Sequence, residues 1–415
     1  MTTRLRPSVS TLETLSVIVP ALNEEKSILR IVERLLKTKE ELLRAGLVSD
    51  AELIVVDDGS TDRTTELVRS QPGVRLIRHE VNRGYGAALK SGFRHARGAY
   101  IAFLDADESY RPESLPQLLR PLTEGQADVV IGSRMMQAKS GMPKVRVVGN
   151  WFFAKLLGWF VGHRITDSAS GMRVFRRTVL PRLFPLPDGL NMTPAMSARA
   201  LHEGLRTVEV PIPYDERSGR SKLHVVKDGL RFFSSIVTIS RLYNPLKFFG
   251  FLGLGFLVAA FLFGIGPVAH YLQVRVVEET AIYRLFTVMV LLVTGVNIVT
   301  FGAFCNQVLM ILYPNRPVQT GAWSRLLLRR RAVRSAGWIG GLFVVAAIAL
   351  NHRTILQYLT TGRIVMHWSY ILTGATLFLT GVQLIMSRFL LTVLEELQEQ
   401  RREIARVQEI DGQSA

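Results

Sequence analysis

Residues 100–107 read Tyr100-Ile101-Ala102-Phe103-Leu104-Asp105-Ala106-Asp107. Five apolar residues in succession suit a strand buried on both faces, and two carboxylates two positions apart suit the turn that follows it. The same grammar extends outward along the chain. Apolar runs at 15–19, 52–56, 74–78 and 129–132 alternate with segments of helical spacing at 24–43, 62–69 and 86–96. In 24–43 the apolar positions are Ile28, Ile31, Val32, Leu35, Leu36, Leu42 and Leu43. Short buried strands separated by helices predict a Rossmann-like α/β domain with a mostly parallel sheet. Such sheets bind ligands beyond the carboxyl ends of their strands. Those ends carry Pro20-Ala21-Leu22-Asn23-Glu24, Asp57-Asp58-Gly59-Ser60, Asp105-Ala106-Asp107 and Ser133-Arg134. Ser60 or Thr61 alone suits a helix cap, and Gly59 alone a turn. Three acidic clusters on one edge repel one another unless a cation or donor groups lie among them, so this rim is the expected site.

The chain has 415 residues and one cysteine, Cys305, so no intramolecular disulfide can form. That usage fits a reducing compartment or a membrane. The net charge of +17 admits three partners: nucleic acid, an anionic membrane surface or a phosphorylated substrate. Residues 248–274, 285–315, 335–352 and 364–387 contain no Asp, Glu, Lys or Arg. A membrane span needs about 20 mostly apolar residues. Four uncharged runs in the last part of one chain exceed what soluble cores hold, so four spans are expected, at about 248–272, 285–312, 335–352 and 366–388. No secretory signal is expected, because residues 1–13 lack an apolar core.

The connection between the second and third spans holds Arg316, Arg325, Arg329, Arg330, Arg331 and Arg334, whereas the other two hold Arg275 and Arg284, and Arg353 and Arg363. Basic connections stay in the cytosol. This predicts an integral protein, of the plasma (inner) membrane, with both termini and the α/β domain cytosolic. The basic balance is then that of a cytosolic membrane face; no nucleic-acid motif is present and no nucleic-acid partner is expected. Two stretches too short to span, 151–161 and 230–239, are apolar with flanking lysines and arginines and suit interfacial helices, or else packed core helices. The expected organisation is a polar leader at 1–14, the α/β domain at 15–223 with one interfacial helix near 150–162, and a second interfacial helix at 224–245. A four-helix transmembrane domain follows at 246–390, then a cytosolic helical tail at 391–415.

The carboxylate pair Asp105 and Asp107 suits Mg²⁺ or Mn²⁺, since the donors are hard oxygens and no His or Cys cluster lies near them in sequence. Such a cation completes its shell with phosphate oxygens and water. Asp57 or Asp58 suits accepting from a base N–H or a ribose hydroxyl.

Together, Pro20-Ala21-Leu22-Asn23-Glu24, Val55-Val56-Asp57-Asp58-Gly59-Ser60, Asn82-Arg83-Gly84, Asp105-Ala106-Asp107 and Gly132-Ser133-Arg134 resemble glycosyltransferase family 2, with the GT-A fold. Asp167-Ser168-Ala169-Ser170-Gly171-Met172-Arg173 and Ser221-Lys222-Leu223 are similar to its polyprenyl-phosphate branch, the dolichyl-phosphate mannosyltransferases and the bacterial enzymes that glycosylate undecaprenyl phosphate. The resemblance covers about residues 15–240. It implies a nucleotide-diphosphate sugar as donor, a polyprenyl phosphate as acceptor and inversion at the anomeric carbon. It assigns Pro20, Leu22, Glu24, Val55 and Asp57 to the nucleotide, and Asp105, Ala106 and Asp107 to metal and diphosphate, with Ser109 at a third metal position. Arg134 would face the sugar or the acceptor phosphate, Lys144 or Arg146 the acceptor phosphate, and Arg217 and Lys222 the donor phosphates. Asp105, Asp107 and Arg134 are the expected catalytic residues. Two departures stand out: the spacing from Arg217 to Gly219 is one residue shorter than in the mannosyltransferases, and residues 191–196 lack an acidic residue often found there. A glycolipid or polysaccharide synthase of the same fold is the rival, but the Gln-x-x-Arg-Trp signature of processive synthases is missing, as the chain has no Arg-Trp dipeptide. A non-catalytic sugar-nucleotide-binding membrane partner is the alternative outside enzymes. Sugar, nucleotide and lipid chain remain open, and a homo-oligomer is compatible with the sequence.

Overall fold

The computed structural model describes residues 13–137, 141–216, 224–313 and 330–413. It divides into two compact units, Met1–Ser240 and Arg241–Ala415. The first is built on a seven-stranded sheet. Strand β1 (Leu15–Ala21) is buried along its whole length and pairs in parallel with β2 (Ala51–Asp57) on one side and β4 (Tyr100–Phe103) on the other. Strand β3 (Val74–Arg78) extends the sheet beyond β2. Helices α1 (Ile28–Arg44), α2 (Thr64–Arg69) and α3 (Tyr85–His95) connect these strands. In α1 the buried Ile28, Ile31, Val32, Leu35 and Leu42 recur at three- and four-residue spacing and form one face against the sheet. Because β2 and β4 leave β1 on opposite sides, the chain reverses direction between β1 and β4. A crevice opens there beyond the carboxyl ends, flanked by Pro20 and Asp105.

The mostly parallel α/β expectation holds, with one antiparallel strand that the sequence pattern did not give. Helix α4 (Leu115–Thr123) leads to β5 (Val129–Ser133), and α5 (Lys144–Val161) then leads to β6 (Arg173–Arg176). Strand β6 lies between β4 and β5 and runs against both, with Arg173 opposite Phe103 and Ile131. An antiparallel strand begins where its parallel neighbours end. The residues just before β6, 167–172, therefore arrive on the same rim as Asp105 and Ser133. Helices α6 (Leu180–Leu183) and α7 (Met192–His202) follow, then β7 (Thr207–Pro211), parallel to β5 at the sheet edge, and α8 (Val225–Tyr243).

The second unit is helical: α9 (Pro245–Val274), α10 (Ile282–Leu312), α11 (Arg330–Thr361) and α12 (Trp368–Gln413). Among the described residues, four helices are long and apolar enough to cross a membrane. Glycines let them approach closely. A methyl group on Gly253 would lie 2.8 Å from the Gly295 carbonyl, and one on Gly340 2.7 Å from that of Gly381. The third helix runs beyond the expected limit at residue 352. It continues past Arg353 to a left-handed cap at Gly362, whose N–H bonds to Tyr358 at 2.9 Å. Residues 1–12 of the leader, Arg217, Lys222 and much of the arginine-rich connection lie outside the described residues.

Candidate active site

The rim encloses a cavity of about 430 Å³. It is lined by Pro20, Leu22, Glu24, Asp58, Asp105, Ala106 and Asp107. Asn23, at φ 51°, makes the first turn: its backbone N–H donates to the Ser60 hydroxyl oxygen at 2.9 Å and its side-chain Oδ1 accepts from the Thr61 N–H at 2.8 Å. The loops after β1 and β2 are thereby tied together. Asp58 Oδ1 accepts from His79 Nδ1 at 2.7 Å and from the Arg83 N–H at 3.0 Å, and Oδ2 accepts from the Gly84 N–H at 2.8 Å. It holds the Asn82-Arg83-Gly84 turn against the site. Gly84 stands at φ 104°, and a side chain there would meet the Asp188 carbonyl at 2.5 Å, so only glycine fits.

Asp57 is one residue from Asp58 and therefore points to the opposite side of the strand. Its carboxylate accepts from the Ser60 N–H at 2.9 Å and from the Thr65 hydroxyl, and it has no exposed surface. Neither Asp57 nor Val55 lines the cavity.

The two carboxylates after β4 are held differently. Asp105 Oδ1 accepts from the Tyr85 hydroxyl at 2.7 Å. Burial, and then the charge on Asp105, push the Tyr85 phenol well up, so it stays protonated and donates. On its other flank Asp105 lies against Gly171, where a methyl group would stand 2.5 Å from Oδ2. Asp107 Oδ1 accepts from the Ser109 hydroxyl at 2.5 Å and its N–H at 3.1 Å. Ser109 is fully buried and does not line the cavity; in this arrangement it braces Asp107. Among the described residues, no group of three or more His, Cys, Asp or Glu side chains gathers as a metal cluster. Two carboxylates lining one cavity, two positions apart in sequence, fit a hard divalent cation that draws its other ligands from phosphate and water.

The same cavity is lined by Arg134 and Arg146. Arg134 makes a forked pair with Asp167, Nε to Oδ2 at 2.7 Å and Nη2 to Oδ1 at 2.8 Å. Its guanidinium carbon lies 5.9 Å from the Tyr110 ring centre and 5.3 Å from that of Tyr214. Burial opposes both charges, but each outweighs that penalty for the other: Asp167 is held below the usual carboxylate range and Arg134 is raised. Arg173 is fully buried, donates to the Ser170 and Ser168 carbonyls, and is pushed down to about 10 by burial, still charged at neutral pH. Lys144, at the start of α5, does not line the cavity. Apolar lining comes from Met142, Val145 and Phe153 of the α5 side and from Val225 and Phe232 of α8, where Asp228 and Arg231 also line the cavity; the Phe153 and Phe232 rings are 5.7 Å apart. Asn150 also faces the cavity, and its side-chain oxygen has no hydrogen-bond partner.

A family model described as glycosyl transferase family 2 matches residues 16–184. Over 392 residues the chain is 31% identical to the low-salt glycan biosynthesis hexosyltransferase Agl6 of Haloferax volcanii, spanning 92% of this chain and 89% of that one. The chain belongs to glycosyltransferase family 2. A second relative, a dolichyl-phosphate hexose transferase of the same organism, is 31% identical over 232 residues, 55% of this chain and 95% of its own. A glucosyl-3-phosphoglycerate synthase structure from Mycobacterium tuberculosis, in complex with Mn²⁺, UDP and phosphoglyceric acid, is 23% identical with a TM-score of 0.44. It covers 55% of this chain and 78% of its own. Residues 245–406 match a domain of unknown function (DUF8752).

For this family 2 glycosyltransferase, the sequence named Arg134 and singled out the motif that begins at Asp167, but not their pairing. Tyr85 was legible in principle, as the residue directly after Asn82-Arg83-Gly84. Tyr110 and Tyr214 carried no local signal, because each reaches Arg134 only through the fold.

Proposed function

We propose that this enzyme transfers a hexose from a nucleotide-diphosphate sugar to a membrane polyprenyl phosphate, with inversion, using Mg²⁺ or Mn²⁺. One observation supports this above the rest: a single cavity is lined by the strand-end carboxylates Asp58, Asp105 and Asp107, by Arg134 and Arg146, and by apolar side chains of the α5 side and α8. The nucleotide would lie along Pro20, Leu22, Glu24 and Asp58. Asp105 and Asp107 would hold the cation, which when bound neutralises charge on the departing diphosphate. Arg134 and Arg146 would gather the acceptor phosphate, and the apolar lining from the α5 side and α8 would take the first isoprene units. A phosphate monoester is already ionised near neutral pH, so no general base is needed. A phosphate oxygen attacks the anomeric carbon, the bond from that carbon to the diphosphate breaks, and its electron pair leaves with the nucleoside diphosphate. Catalysis then rests on positioning and charge.

Exposed Val145, Val148, Trp151, Phe152 and Trp159 on α5, with Val226, Leu230 and Phe233 on α8, support a membrane-interfacial position for both helices. The basic connections support a cytosolic α/β domain at an inner membrane, with the domain limits given above. Purified full chain in nanodiscs, supplied with Mn²⁺, labelled UDP-glucose, GDP-mannose or UDP-N-acetylhexosamine and a short polyprenyl phosphate, tests the reading. Thin-layer separation should show one labelled lipid, and no lipid product with any donor would refute the proposal.

A further inference from the structure

We propose that Asp167 is the positioning residue for Arg134, aiming its guanidinium at the phosphate of the acceptor and acting on that phosphate only through Arg134. This rests on the acceptor reading above. Asp167 has no exposed surface, and its carboxylate is filled by donors. Oδ2 accepts from the Arg134 N–H at 3.0 Å as well as from Nε, and Oδ1 accepts from Nη2 and from the Ala169 N–H at 3.3 Å. It is therefore neither a base nor a ligand for substrate. What it does is fix a fork. Two of the three guanidinium nitrogens of Arg134 are spent on Asp167, the Tyr110 and Tyr214 rings lie 5.9 and 5.3 Å from its carbon, and Arg134 lines the cavity.

Asp167 is itself anchored from the sheet edge. Glu209 of β7 accepts from the Asp167 N–H at 2.8 Å, from the Thr166 N–H at 2.8 Å and from the Thr166 hydroxyl at 2.9 Å. The antiparallel entry of β6 brings this turn to the rim, and the same turn sets Gly171 against Asp105. The Tyr110 hydroxyl accepts from the Gly171 N–H at 2.7 Å, so one short segment touches both Asp105 and a ring beside Arg134.

The sign of the effect separates positioning from bulk charge. Removing a negative charge beside an anion site strengthens anion binding if field alone governs, whereas losing the aim weakens it. The test titrates farnesyl phosphate into full-length wild type, Asp167→Asn, Arg134→Lys and the double variant in nanodiscs, with Mn²⁺ affinity read separately by electron paramagnetic resonance. Asp167→Asn should weaken farnesyl phosphate about fivefold to tenfold. In the Arg134→Lys background the same change should add less than about twofold, the signature of coupled residues. Mn²⁺ affinity should hold in every variant, which a merely unfolded site would not allow. Equal or tighter binding by Asp167→Asn, or the same loss in both backgrounds, overturns the proposal. If wild type binds inorganic phosphate but not farnesyl phosphate, the lipid reading falls and the same cycle on inorganic phosphate decides the role of Asp167. If wild type binds neither anion, both fall. Should Asp167→Asn lose Mn²⁺ binding, Glu209→Gln, which loosens the anchor without emptying the fork, replaces it and must show the same weakening.

Discussion

Replacing Gly171 with alanine should disable the enzyme through a single methyl group. Gly171 is not at a positive φ, so the backbone accepts alanine and the penalty is steric alone. The new carbon would stand 2.5 Å from Asp105 Oδ2, 2.9 Å from Cγ and 3.0 Å from Oδ1, where ordinary contact begins at 3.4 Å. The carboxylate must therefore retreat by about 0.9 Å, the difference between 3.4 and 2.5 Å. It cannot do so without disturbing the 2.7 Å bond that Oδ1 accepts from Tyr85. A reacting group misplaced by about 1 Å costs on the order of 10²-fold in rate. Overpacking at a buried site costs about 1–3 kcal/mol, so the protein should remain folded, with a lowered melting temperature. The assay is transfer to polyprenyl phosphate, paired with Mn²⁺ affinity by electron paramagnetic resonance and with thermal melting. Gly341→Ala, whose methyl group meets nothing within 4 Å, is the control. A folded Gly171→Ala enzyme with wild-type turnover and Mn²⁺ affinity would refute both the role of Asp105 and the clamp around it.

Tyr85→Phe keeps the ring and deletes one hydrogen bond, so Mn²⁺ should bind about fivefold to tenfold more weakly with little change in melting temperature; unchanged affinity would remove Tyr85 from the site. Asp107→Asn should lower turnover by about 10²-fold or more while part of the donor binding survives, as read by nucleotide titration. Burial pushes the Asp167 carboxyl up, but the Arg134 charge and its hydrogen bonds together hold it below the usual range. Its stabilisation is thus complete above the unfolded carboxylate value, about 3.9, and is lost as pH falls through the lower folded value. This ionisation should add no pH dependence to the melting temperature between about pH 5 and 8, where its contribution is full, and Asp167→Asn should flatten part of the acid-side fall below about pH 4. An acid limb of unchanged steepness would contradict the depressed value.

Much of the plan was legible because it is written locally. Period and polarity along 15–133 give the strands and helices, and length without charge gives the four long helices. Strand β6 was not legible: four residues that begin and end in arginine do not read as an interior strand, and its burial comes from β4 and β5 on either side. The acidic residues were legible as a rim because strand ends in a parallel sheet fall on one edge. Their division of labour was not. Asp57 and Asp58 are adjacent in sequence, and only the sheet decides that the second faces the cavity.

By itself, the sequence determined the α/β alternation, the carboxylates at strand ends and four helices able to cross a membrane, because each is a property of a short continuous segment. Only the tertiary structure decided that Tyr85 holds Asp105 across 20 residues and that Asp167 forks Arg134 across 33. Those partners are chosen by strand order and by the one reversed strand. A turn that is distant in sequence ends on the same rim because β6 starts where β4 and β5 stop.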